Sequence, residues 1–530
     1  MRVYSMEPAV YQQRWHKLRE SKLDAHALQT LSRQIAFSFM DRYFQRSRYE
    51  SAYIDLLCEM ATFHAKPDVD NVASAALFGL IVEKLCDDFE ELPVEMYCRV
   101  MCQVVSFCRS LPAGQTLDQA LADFGLMSSD HLHQRAISTH TRQYRHDPNQ
   151  APKRIILLSR VTIGADVAIL SVMIQRLGKL FPEADLVVVG SSRLQGLFRS
   201  APHVRLRELS YARRGGLFER FGSWHATLEI LRDEMPAGGE ADVLVIDPDS
   251  RISQLGVLPL LHTDNYLFFN TRDHRQLASG RCMAELTNDW MDAVFGVSDF
   301  SYPTVWASSK VMEAARTRMD LLRASGARRV VTMNVGVGQN PRKRVSLEFE
   351  KRLLRALAAV PETVVVLDRG FGPDETARSD QLLADARHCG LPGLETRFSR
   401  SNFPSMSHGV VAVECGIAEM AALIAHSDEY LGYDSACQHI AAAVKTPTLT
   451  VFAGSNNMNF VHRWSACGDT ECKIVHVNTL SDPQHVDVDE IIARVMQERA
   501  NRTLRGPQQR IHEIRTAQRR TRPTHEPIKE

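Results

Sequence analysis

Apolar positions recur every three or four residues from Ala9 to about Leu126, as in Ala52, Ile54, Leu57, Cys58 and Ala61, and again in Ala76, Leu77, Leu80, Ile81 and Leu85. That is the helical period, and no alternating or β-branched run interrupts it before residue 150. The spacing predicts an all-helical N-terminal domain over residues 1–127, its helices broken at Pro67, Pro93 and Pro112. Residues 128–152, polar and rich in His and Arg, read as a linker.

After Pro152 the period changes. RIILLS (154–159) is a β-rich run, DVAILSVMIQRLGKLF (166–181) is helical, and ADLVVVG (184–190) is a strand again, which makes a βαβ unit. Apolar runs at VRLREL, ADVLVID and YLFFN continue the alternation through residues 153–307. A second series over 328–498 takes in RRVVTMNVG, TVVVLDRG, GVVAVEC, DEYLGYD, PTLTVFAG and KIVHVN, with helical stretches between them. The expected fold is α/β, with two tandem Rossmann-like, doubly wound domains, bridged by a helix over 308–327 and preceded by the all-α domain. Ligands of such sheets sit at the carboxyl ends of the strands.

Composition narrows the function classes. The 530 residues carry 63 Lys+Arg against 63 Asp+Glu, which argues against a protein that works mainly by electrostatic binding of nucleic acid. The arginine-rich stretch 499–530 is an exception, read as a solvated basic tail. The opening residues hold no apolar signal and no run of about 20 apolar residues occurs, so a cytoplasmic protein without a membrane span is expected. Peripheral membrane contact and oligomerisation through the helical domain stay open. Eleven scattered cysteines favour reduced thiols. Cys98, Cys102 and Cys108, with Cys86 upstream, read as core, while Cys467 and Cys472 form a pair without two further ligands in order. His131, His133, His140 and His146 have no regular zinc spacing, so no metal is expected.

Three segments carry candidate chemistry. In SRVTIGADVAIL, Gly164 permits a tight bend, and Asp166 either caps the helix that follows or takes a proton from a substrate hydroxyl. In NVGVGQNPRKRVSLEFEKRLL, Gly336 and Gly338 let the backbone approach a ligand, and Arg342, Lys343 and Arg344 set three cations before a helix, where a diphosphate would fit. In DEYLGYDSACQHIAAAVKTP, a strand ends at Asp434, and the amides of Ser435 and Ala436 open a helix carrying His439. Such amides suit phosphate oxygens, and Asp434 either caps the helix or holds a sugar hydroxyl.

Together the three segments resemble the ADP-heptose:lipopolysaccharide heptosyltransferase family, glycosyltransferases of GT-B architecture, over about residues 153–490. RIILLSRVTIGAD looks like the family's strand and IGD, the second segment like its NPG and KRWP with Lys343 on the lysine, and DSACQHIAAAVKTP like its DSG, His, AA and Pro signature. Ala165 intervenes before Asp166, and Ala436 stands at the signature glycine. The resemblance implies metal-independent, inverting transfer from a nucleotide-diphosphate sugar, ADP-heptose by analogy, to a glycan or protein acceptor, with no cofactor beyond that donor. It makes Asp166 the base, Lys343 and Arg342 the cations at the leaving diphosphate, and Gly336, Gly338, Asp434, Ser435, Ala436 and His439 the donor contacts. A catalytically inactive nucleotide-sugar binder and a sugar-nucleotide epimerase share the shape and are the competing readings.

Overall fold

The computed structural model describes residues 6–21, 24–46, 48–64, 66–87, 91–212, 214–273, 280–338, 340–481 and 486–501. The stretch 499–530 read as a basic tail lies, from residue 502, outside the described residues. Contacts divide the chain into two compact units. One holds Met1–Val161, Val187–Ser191 and Arg207–Ser279, and the other Thr162–Leu186, Ser192–Leu206 and Gly280–Glu530.

The N-terminal part of the first unit is helical, as its period predicts, with helices that include Ala25–Arg46, Ser51–Met60 and Glu91–Arg109. Its core is aromatic: Trp15, Tyr11, Tyr53 and Phe39 are all buried, and the Tyr11 hydroxyl meets Ser38 Oγ at 2.7 Å. The helices are broken at the three prolines, as expected, and each proline stands in the first turn of the next element. Pro67 opens the helix Pro67–Ala76, Pro93 lies in the first turn of Glu91–Arg109, and Pro112 opens a short 3₁₀ turn. A first turn has spare N–H groups, so a residue lacking one starts a helix there without cost.

Residues 128–152 are likewise not all linker, since Ser129–Thr141 is a helix. Ser128 caps it by accepting from the His131 N–H, and Leu132, Ala136 and Thr139 are buried along one face. His140, one of the four histidines there, is half-buried with its Nε2 2.7 Å from the Leu255 carbonyl, and desolvation lowers its pKa, which makes it a packed histidine. Cys98, Cys102 and Cys108 are buried, as expected of core thiols.

The strands are β1 (Arg154–Leu158), β2 (Asp185–Gly190), β3 (Val204–Glu208), β4 (Val243–Asp247), β5 (Tyr266–Phe268), β6 (Arg329–Asn334), β7 (Thr363–Asp368), β8 (Gly393–Arg397), β9 (Gly409–Glu414), β10 (Glu429–Tyr433), β11 (Thr448–Phe452) and β12 (Cys472–His476). They form a five-stranded sheet of order β3-β2-β1-β4-β5 and a seven-stranded sheet of order β12-β11-β10-β6-β7-β9-β8. The second sheet is parallel throughout. Strands β4, β7, β10 and β11 are buried along their whole length, as parallel strands covered on both faces must be. The fold is thus α/β with two parallel sheets after a helical segment.

Helix Leu347–Ala358 shows how the second sheet is covered. Ser346 accepts from the Phe349 N–H to start it, and Phe349, Leu353, Leu354 and Leu357 recur at helical spacing to bury one face on Val331, Met333 and Leu367. Glu350 is buried on that same face, bound by Arg378 at 2.6 Å and by the Tyr433 hydroxyl at 3.1 Å. In the stretch 308–327 a helix forms at Ser309–Ala324 and packs against helix Ile417–His426. No helix among the described residues is long and apolar enough to cross a membrane.

Candidate active site at the switch point of the second sheet

The order in which strands are added to the second sheet reverses at β6. Strands β7, β9 and β8 are laid down on one side of it, and β10, β11 and β12 on the other. The carboxyl ends of β6 and β10 therefore flank the crevice where loops leave in opposite directions, and open α/β sheets place ligands there. Two of the three candidate segments, 334–344 and 434–439, follow those two strands.

At the end of β10 Asp434 is 5% exposed, and its carboxylate is fully engaged. Lys343 Nζ reaches Oδ2 at 2.5 Å, and Gln438 Nε2 donates to Oδ1 at 2.7 Å. Asp434 does not cap the next helix, Ala436–Ala443. Ser435 occupies that position, with its hydroxyl donating to Asn334 Oδ1 at 3.3 Å. Asn334 donates in turn to Asp368 Oδ2 at 2.5 Å, and the Gly370 N–H donates to Oδ1 at 2.9 Å. One polar chain, Ser435–Asn334–Asp368, thus joins the ends of β10, β6 and β7.

The cations separate into different roles. Lys343 also lies 5.6 Å from the centre of the Phe460 ring. Arg344 donates to the Val335 carbonyl and so braces the loop. Arg342 is exposed and has no ion pair among the described residues, while its carbonyl lies against Gly454, which at φ +75° has no room for a side chain.

Gly336 and Gly338 meet an anion that belongs to the chain itself. Glu375 Oε1 accepts from the Val337 N–H at 3.0 Å and from the Gly338 N–H at 2.9 Å, and Oε2 accepts from the Phe371 N–H at 2.8 Å. A Cβ on Gly336 would come within 2.9 Å of that carboxylate, and Gly338 adopts φ +60°. Both glycines are explained by this internal contact, which pins the loops after β6 and β7 to each other.

His439, 4% exposed, sits edge-on to Trp464 at 6.3 Å. Burial lowers its pKa to about 4, the nearby Asp434 carboxylate opposes the fall, and the Lys343 ammonium adds to it. The imidazole is neutral near pH 7. Asp368 moves the other way, raised to about 6 by burial against the hydrogen bonds from Gly370 and Asn334.

These shifts carry opposite signs in stability. The His439 contribution is complete above about pH 6.5 and is lost as pH falls toward about 4. That of Asp368 is complete below about 3.8 and is lost as pH rises through about 6. Each is worth on the order of 3 kcal/mol across its window. Urea midpoints between pH 4 and 7 should therefore show His439→Gln less acid-labile than the wild type and Asp368→Asn more so. Parallel slopes in all three proteins would contradict these environments.

Asp166 is placed with the same unit. Its helical segment starts at Ile163, and the Asp166 N–H already donates to the Thr162 carbonyl at 2.9 Å. Asp166 is therefore not an N-cap, which removes the capping explanation. It begins a π-helical turn, 166–170, that packs on helix Ala436–Ala443, and it is 1% exposed. Gly164 permits the packing: a Cβ there would lie 3.0 Å from His439 Cδ2 and 3.2 Å from Ala436 Cα. Asp166, Ala436 and His439 thus belong to neighbouring segments. Asp368, Glu375, Gln438 and Trp464 complete the group without having been marked as candidates in the sequence.

Residues 400–478 match the family described as Glycosyltransferase family 9 (heptosyltransferase), a stretch that takes in β9, β10, β11, β12 and the segment Asp434–His439. Over this segment the chain is similar to that family. It is 33% identical over 101 residues to lipopolysaccharide heptosyltransferase 3 of Escherichia coli strain K12, and spans about a quarter of that relative, 24%. Among solved structures it is similar to the glycosyl transferase family 9 protein from Veillonella parvula, with 13% identity, a TM-score of 0.45, and coverage of 70% of this chain and 98% of that one. It is also similar to E. coli heptosyltransferase WaaC with ADP, at 14% identity and a TM-score of 0.42, covering 65% of this chain and 99% of that one.

Proposed function

We propose that the protein is a cytoplasmic glycosyltransferase that moves a sugar, heptose-like by analogy, from a nucleotide-diphosphate sugar to a hydroxyl of a glycan or protein acceptor, with inversion. The observation that carries this reading is the charged, buried group at the switch point: Lys343 held on Asp434, with Gln438 and neutral His439 one helical turn beyond. In the proposed step the acceptor oxygen attacks the anomeric carbon, the bond from that carbon to the diphosphate oxygen breaks, and Asp166 takes the hydroxyl proton. Lys343, with exposed Arg342 beside it, balances the charge that collects on the departing nucleoside diphosphate. Asp434 fixes the ammonium, Ser435 and Ala436 offer amides, and His439 orients the donor as a neutral hydrogen-bonding group. No resident cofactor and no catalytic metal enter this scheme.

A second reading is a binder that kept the fold without turnover. It is favoured by the 1% exposure of Asp166, since an acceptor must displace its present cover to reach it. Incubation with a panel of nucleotide sugars and a hydroxyl acceptor extract separates the two. Release of free nucleoside diphosphate that requires the acceptor supports transfer, whereas saturable binding with no release across the panel supports the binder.

A further inference from the structure

The sequence offers Cys467 and Cys472 as an incomplete pair, and the fold supplies what the pair lacks. Cys282 stands at the head of helix Met283–Phe295, and Glu285 lies in its first turn. Both come from a part of the chain remote in sequence, yet the thiol sulfurs of Cys282 and Cys467 and a Glu285 carboxylate oxygen all lie within 4.8 Å of one another. Among the described residues no other group of His, Cys, Asp and Glu converges this way. We propose that Cys282, Glu285 and Cys467 bind a thiophilic divalent cation, zinc above all, as a structural staple apart from the transfer chemistry.

The donor set fits that ion. The two soft thiolates select zinc over magnesium or calcium, and zinc also accepts a carboxylate oxygen. Two sulfurs on one tetrahedral zinc lie roughly 3.8 Å apart, so the present spacing closes on an ion with a shift of about 1 Å or less. Glu285 is already oriented, because its Oε2 accepts from the Cys282 N–H at 2.9 Å. This ties carboxylate and thiol into one turn, as a ligand pair on a helix start requires. Val172 and Ala284 pack with Cys282 and Cys467 and form an apolar wall on one side.

The position gives the ion a purpose. The loop bearing Cys467 leaves helix Met458–Trp464, whose last residue packs on His439 and whose carbonyl there accepts from Gln438 Nε2 at 3.1 Å. The same loop lies so close on helix Ala436–Ala443 that a Cβ on Gly468 would stand 2.4 Å from the Ala442 carbonyl oxygen. An ion joining Cys467 to residues 282 and 285 would hold that loop, and through it the Trp464 wall of the candidate site. The metal proposal itself does not depend on the transferase reading.

The test is metal analysis of the full chain, purified without a polyhistidine tag in a thiol reductant free of chelator, followed by cobalt(II) titration of the stripped protein. The expected result is about one zinc per chain and a cobalt spectrum with a thiolate-to-metal charge-transfer band. The band should be lost in Cys282→Ser and Cys467→Ser and retained in Cys389→Ser, an exposed cysteine elsewhere. If a serine variant fails to fold, alkylation of the wild-type thiols with and without zinc replaces it, with protection of Cys282 and Cys467 by zinc expected. Absence of both zinc and a cobalt band in the wild type, a band unchanged in the Cys282→Ser/Cys467→Ser double variant, or a Cys282–Cys467 disulfide in the reductant-treated protein would each overturn the proposal. Nucleotide release is not the readout, so failure of the transferase reading leaves this result interpretable.

Discussion

Asp166→Asn is expected to abolish acceptor-dependent release of nucleoside diphosphate, by about 10²–10⁴-fold, while leaving nucleotide affinity within a few fold of the wild type. Asp166 does not serve as a helix cap. A cap would spend its carboxylate on free N–H groups at a helix start, but the Asp166 N–H is already bonded inside the helix and the cap position belongs to Thr162. An asparagine at that position fills the same volume and keeps one oxygen, so the packing of the 166–170 turn on helix Ala436–Ala443 survives. What is lost is the ability to accept the acceptor proton. Calorimetric binding of the nucleoside diphosphate, run beside single-turnover release from the sugar donor, checks both halves. Unchanged turnover removes Asp166 from the role of base, and lost binding makes it a structural residue.

The fold was legible because parallel strands announce themselves by burial. TVVVLD, PTLTVF and VLVID are continuous apolar runs, and each became a strand with every residue buried. Strand β8, GLETR, was illegible for the same reason in reverse. It is the edge of its sheet, three of its five residues are exposed, and its side chains alternate without an apolar run. Helix Ser129–Thr141 was hidden by its composition, since a few buried positions among three histidines and other polar residues read as polar sequence.

The candidate site was legible in its positions and not in its partnerships. Lys343 and Asp434 were both marked, but that they pair with each other depends on β6 and β10 being neighbours, which the order of the chain does not state. Glu375 was missed although Gly336 and Gly338 were found. The sequence shows that an anion is wanted at such a loop, and only the structure shows that a carboxylate 37 residues away supplies it. Asp368 had a signal that went unused, because TVVVLD ends in Asp at a strand end just as DEYLGYD does.

The Lys343–Asp434 pair sets up the second large effect, since two explanations of one ion pair predict different double variants. Lys343→Ala alone should lower acceptor-dependent turnover by about 10²–10³-fold. It should also destabilise the fold by about 3 kcal/mol, because it leaves a carboxylate of 5% exposure without its cation. Asp434→Asn keeps the Gln438 contact and lets the ammonium swing free, so its stability cost is smaller and its turnover falls through misplacement of Lys343. In the Lys343→Ala/Asp434→Asn double variant no buried charge is left unpaired, and stability should recover most of what the single lysine variant loses. If Lys343 serves only to neutralise Asp434, turnover recovers with it. If Lys343 balances the leaving diphosphate, turnover stays at the level of Lys343→Ala while the urea midpoint rises, and that separation of activity from stability is the expected result. Rescue of both together would instead make the pair a structural element and move the charge-balancing role to Arg342, which is exposed beside it and carries no ion pair among the described residues.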